Sequence, residues 1–143
     1  MSKLDLVRCF VNTVDEYIEV KSDNRFCVDI DEEIIFIPKK LDDNEELIWS
    51  NFLKEEFKVD YNPYVMSILH EIGHIATYTE HLNTERELTY FLLQMKYEED
   101  NFVDFNREYF KIPMEFLATE WAINYYRDNK EECDRFAILL SEV

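Results

Sequence analysis

The fold class this sequence predicts is a single α+β domain, mostly helical, with one short antiparallel β-hairpin. Three observations carry the prediction. The chain has 143 residues, 47% apolar and 15% aromatic, enough to bury a core of ordinary size. It holds only one glycine and three prolines, which favours long helices over many tight turns. Apolar residues recur mostly at spacings of three and four, and short segments rich in β-branched and aromatic residues cluster near the N-terminus.

Taken in order, Leu4, Val7, Phe10, Val11, Val14, Tyr17 and Ile18 predict an amphipathic first helix. Residues 26–30 and 33–37, separated by Asp31 and Glu32 and closed by Pro38, predict the hairpin. A second helix is expected from Asp43 to about Lys58, with Leu47, Ile48, Phe52, Leu53 and Phe57 on one face. Asn62 followed by Pro63 is an N-cap with proline in the first turn, opening a helix to about Glu80. Asn83 and Thr84 are expected to cap a helix through Tyr97, Pro113 to open another to about Arg127, and a terminal helix to span Asn129 to Leu140. No repeat, linker or low-complexity stretch divides the chain, so residues 1–143 are expected to form one domain.

Fifteen basic residues against 32 acidic ones leave a formal charge of −17. Such a chain repels phosphate backbones, which argues against direct nucleic-acid binding and favours a basic partner. Cys9, Cys27 and Cys133 are odd in number and form no C-x-x-C pair, as expected of reduced thiols. No apolar run reaches membrane-spanning length, and the charged N-terminal segment does not read as a signal peptide. The expected compartment is cytoplasmic.

The chemistry is concentrated in His70-Glu71-Ile72-Gly73-His74, an H-E-x-x-H pattern. On a helix, residues four apart project from one side, so both imidazoles can reach one metal ion. Glu71 lies about a quarter-turn around the axis, placed to take a proton from water activated by the metal. Val65, Ile68, Leu69, Ile72 and Ala76 occupy the opposite side and are expected to pack in the core. Gly73, the single glycine, sits mid-helix, where it costs about 1 kcal/mol relative to alanine. Something must approach the backbone closely there.

A third ligand is needed. His81 falls seven residues past His74, a poor match to a third-histidine spacing. Glu85 and Glu87 leave the chain little room to turn back. A carboxylate from a later helix fits a His₂Glu set better, and Glu115 and Glu120 are the candidates. Glu115 is favoured, since it shares a face with Ala118, Thr119 and Ala122, small residues that admit close packing against the motif helix. Tyr97, Tyr109 and Tyr125 are candidate donors to an oxyanion.

The motif at residues 70–74, followed by Glu115-x-x-Ala118-Thr119-x-Trp121-Ala122, resembles the ImmA/IrrE-type metallopeptidases. Their pattern is H-E-x-x-H and then, roughly, E-x-x-A-[ND]-x-F-A on a later helix. Thr119 stands where that pattern has Asn or Asp, and the gap between the two segments is longer than the family's usual one. The resemblance implies a zincin-like metalloprotease core. It also implies zinc held by His70, His74 and Glu115, Glu71 as general base, and hydrolysis of a peptide bond in a protein substrate, such as a regulatory protein. The charge supports an alternative of another class: an acidic zincin-like protein that occupies a basic partner, as a DNA mimic or mobile-element inhibitor does, without proteolysis.

Overall fold

The structure, a computed structural model, describes residues 1–78 and 113–143. Among these, five α-helices and a small three-stranded mixed sheet make an α+β fold.

Helix α1 (Lys3–Val14) opens on a capping box. The Ser2 hydroxyl accepts from Asp5 N–H, and the Asp5 carboxylate accepts from Ser2 N–H. Val7, Phe10 and Val11 form its buried face. The helix stops four residues short of the predicted Ile18. Asp15 turns to extended backbone, and its carboxylate accepts from the Tyr17 N–H, a local bond that competes with another helical turn. Tyr17 is consequently exposed, whereas Ile18 is buried from outside the helix.

The chain then forms β1 (Glu19–Ser22), β2 (Cys27–Asp29) and β3 (Ile34–Ile37), in the order β1-β3-β2. The predicted hairpin is the antiparallel β2–β3 pair, with Val28 opposite Ile35. β1 was not expected. It pairs parallel to β3, Val20 opposite Ile35, and shows only Val20 to the core, so three polar residues out of four hid it from periodicity.

Helix α2 (Asp43–Phe52) is capped by Asp42, whose carboxylate accepts from Glu45 N–H. A wide π-helical turn carries the chain on through Leu53–Phe57, close to the predicted end. Helix α3 (Pro63–Ala76) starts as expected: the Asn62 side chain accepts from Val65 N–H, and Pro63 occupies the first turn. It ends at Ala76, before the predicted Glu80, with Thr77 as its C-cap. Helices α4 (Pro113–Asp128) and α5 (Lys130–Ser141) match their predicted spans to within a residue. The helix expected over residues 83–97 lies outside the described residues.

Helix α3 runs through the core. Val65, Met66, Ile68 and Leu69 are fully buried, and Ile72 nearly so. The core-facing side is thus as predicted except at its end, where Ala76 is exposed. α3 packs most extensively against α4. Phe10 stacks on Phe136 at 4.1 Å, joining α1 to α5, and Tyr61 stacks on Tyr126 at the same distance, joining the entry of α3 to α4. Among the described residues, no helix is long and apolar enough to cross a membrane.

Candidate metal centre

The site is built where α3 and α4 touch. A Cβ added to Gly73 would lie 2.5 Å from the carbonyl oxygen of Ala118 and 3.0 Å from its Cα. The close approach expected at the lone glycine is therefore backbone against backbone, helix to helix. Ala118, Thr119 and Ala122 on the facing side of α4 are fully buried. Small residues on both helices let their axes come close, and Glu115, one turn before Ala118, is carried into reach of α3.

There it meets both histidines. Nε2 of His70 is 2.6 Å and Nε2 of His74 3.1 Å from the same Glu115 carboxylate oxygen, Oε2. The two Nε2 atoms are 3.1 Å apart. All three residues are buried, Glu115 to 2% exposure. Trp49 of α2 sets its ring edge-to-face against His70, centroids 5.7 Å apart, as one wall of the site. Glu120 is exposed, so the carboxylate that α4 brings to the histidines is Glu115.

Electrostatics reflect this crowding. Burial works against the Glu115 carboxylate, but hydrogen bonds with His70 and His74, and their charges, override it and hold the carboxyl well below its usual range. Burial also works against a charged His74. The Glu115 hydrogen bond and charge, with a contribution from Glu71, outweigh it and raise the imidazole above 6.5. Glu71 is half-buried beside them. Its carboxyl is pushed up by burial and by the Glu115 charge, against the pull of the two histidines. On β2, the Cys27 thiol is raised by burial and by the charges of Asp23 and Glu71.

Three electron-pair donors converging on one another is the arrangement a cation organises. Tetrahedral zinc with bonds of about 2.0–2.1 Å separates N and O ligands by roughly 3.3 Å, close to the two 3.1 Å separations here and wider than the 2.6 Å between His70 and Glu115. In the absence of a cation, two imidazole nitrogens at 3.1 Å face each other with at most one proton to share comfortably. Nδ1 of His74 is also buried with no hydrogen-bond partner among the described residues. The buried His70, His74 and Glu115 group could hold a metal ion, and among the described residues it is the one such cluster.

Sequence reasoning missed two participants. Trp49 left no signal, because its contact with His70 depends on how α2 lies across α3. Thr119 was read as a small packing residue that departs from the Asn or Asp of the resembled pattern, yet its Oγ1 is 3.0 Å from Nδ1 of His70. Its place four residues after Glu115, on the same face of α4, was the available clue. Tyr125 is no oxyanion donor to this site. It lies ten residues beyond Glu115, about 15 Å along the helix axis, and stacks on Trp121. Tyr97, Tyr109, His81, Glu85 and Glu87 lie outside the described residues. No family model matches the chain, and no similar protein is found among the curated sequences or the solved structures.

Proposed function

We propose that this protein is a zinc-dependent metallopeptidase that hydrolyses a peptide bond in a protein substrate, with His70, His74 and Glu115 holding the metal and Glu71 as general base. One observation supports this above the others: two imidazoles four residues apart and a carboxylate from a second helix converge at 2.6–3.1 Å, with the Glu71 carboxylate electrostatically coupled to all three. The donor set is the His₂Glu combination that suits catalytic zinc and leaves a coordination position open.

Zinc held by His70, His74 and Glu115 would supply Lewis acidity, activating water and polarising a carbonyl. Everything else falls to the chain. Glu71 accepts the proton of the attacking water and delivers it to the leaving amine, a role suited to a carboxylate whose proton affinity burial has raised. Glu115 stays ionised, neutralising part of the metal's charge. The buried walls, Trp49 among them, restrict water around the reacting groups. A structural metal site would leave Glu71 without a task and would ordinarily use four protein ligands.

The test is Glu71→Gln. Zinc content should match the wild type, while cleavage of candidate substrate proteins drops by about 10²–10⁴-fold. Cleavage that survives the substitution would remove Glu71 from the mechanism. The charge of −17 supports the second reading, a non-proteolytic binder of basic proteins. That reading expects salt-sensitive association with a basic partner, unchanged in Glu71→Gln.

A further inference from the structure

Basic residues are outnumbered two to one in this chain, 15 against 32, yet lysines gather at one place away from the metal centre. Lys3 at the start of α1 and Lys39 and Lys40 just after β3 line a cleft of about 830 Å³. That is the size of a small-molecule site. Leu4, Ile37 and Pro38 give the cleft an apolar wall. Lys3 and Lys40 also line a smaller cleft of about 270 Å³, where Asp43 and Glu46 bring negative charge. An anionic group is therefore drawn to the larger of the two.

No ion pair among the described residues involves Lys3, Lys39 or Lys40. Asp23 and Val143 line the larger cleft too, but neither pairs with a lysine there, and the Asp23 carboxylate accepts instead from the Asn24 N–H. Lys3 is held in place. Its ammonium group donates to the Lys39 carbonyl and lies 4.3 Å from the centre of the Tyr64 ring. The Tyr64 hydroxyl in turn donates to the Pro38 carbonyl at 2.6 Å, so α1, α3 and the end of β3 fix the ammonium together. Burial works against the Lys3 charge, and no carboxylate offsets it.

We propose that this cleft binds a small phosphomonoester with an apolar body. Three ammonium groups round one cleft suit the dianionic head of a phosphomonoester better than the single charge of a carboxylate. The apolar wall takes the body. Size follows from the rest of the surface: with a net charge of −17, a long polyanion meets repulsion beyond the cleft. A small ligand lies within about 8 Å of the lysines, the range over which their charge acts at physiological salt. The proposal does not depend on the metal-site reading.

Phenyl phosphate is the probe, titrated into the nitrogen-15-labelled full chain and followed by NMR. Amide shifts are expected at Lys3, Leu4, Ile37 and Lys39. Inorganic phosphate, which lacks the ring, and benzoate, which lacks the second charge, should both bind more weakly. The Lys39→Gln/Lys40→Gln double variant should bind phenyl phosphate roughly 10-fold or more weakly. These side chains are exposed, and the Lys39 carbonyl that holds Lys3 is main chain, so the fold should survive with an unchanged Tm. Lys54→Gln, at an exposed lysine outside the cleft, should bind as the wild type does. Wild-type binding in the double variant, equal loss in Lys54→Gln, or shifts confined to the metal centre would overturn the site. Benzoate or inorganic phosphate binding as tightly as phenyl phosphate would overturn the assigned ligand class. So would tighter binding of a single-stranded oligonucleotide through the same lysines.

Discussion

At the scale of single residues, the buried groups of the centre give the metal-free protein a definite pH dependence. His74 has a folded pKa above its ordinary 6.5. Its contribution to stability is therefore fully present below pH 6.5 and is lost as the pH rises through the raised value. Glu71 acts in the same direction: its pKa is raised above 4.5, so ionising it becomes progressively more costly to the fold as the pH climbs. Glu115 is depressed, contributes at all pH values above 4.5, and is lost only in acid. Thermal melting in chelator should accordingly show a lower Tm at about pH 8 than at about pH 5.5. Zinc reverses the trend, because its ligands must be deprotonated: the Tm gained on adding zinc should grow over the same interval. A metal-free Tm that rises from pH 5.5 to 8 would sink the assignment of these two shifts.

At the scale of elements, the contact between α3 and α4 decides whether the centre exists. Gly73→Ala would gain about 1 kcal/mol of helix propensity. Against that, the new methyl meets a main-chain carbonyl at 2.5 Å, which cannot move unless α4 moves with it. Overpacking of this kind costs about 1–3 kcal/mol, so a net loss of stability is expected in urea unfolding. The displacement would also draw Glu115 away from the histidines, so zinc affinity should fall in the same variant. A stabilised Gly73→Ala with unchanged zinc affinity would mean that the helices are not this close. The other end of α4 is tied separately. The buried Tyr126 hydroxyl donates to Asp134 of α5 at 2.7 Å and accepts from the Asn62 N–H at the entry of α3. Tyr126→Phe leaves the stack on Tyr61 but removes both bonds, for an expected cost of about 1–2 kcal/mol in the same assay, with zinc binding unaffected.

At the scale of the whole molecule, a charge of −17 repels itself in any compact state. Raising NaCl from about 0.1 M to about 1 M shortens the screening length from about 10 Å to about 3 Å, so Tm should rise with salt even without zinc. A flat or falling Tm would indicate that the scattered acids are already compensated. Much of the architecture was legible beforehand, because it is written in local chemistry. The cap at Asn62, the apolar periodicities, the H-E-x-x-H spacing and the small-residue face of α4 each depend on neighbours within one or two helical turns. With composition and the β-branched segments near the N-terminus, these gave the α+β class, the hairpin, the start of the motif helix, the pair of histidines and the demand for close approach at Gly73. Other features depend on partners far along the chain. The β1–β3 pairing joins a mostly polar strand to a distant one, Trp49 reaches His70 across two helices, and Thr119 is bonded to a residue 49 positions away. The choice of Glu115 over Glu120 was weighed in sequence from helical faces, but packing decided it. Periodicity says which residues share a side of a helix, and only the meeting of two backbones at Gly73 and Ala118 says which side faces the histidines.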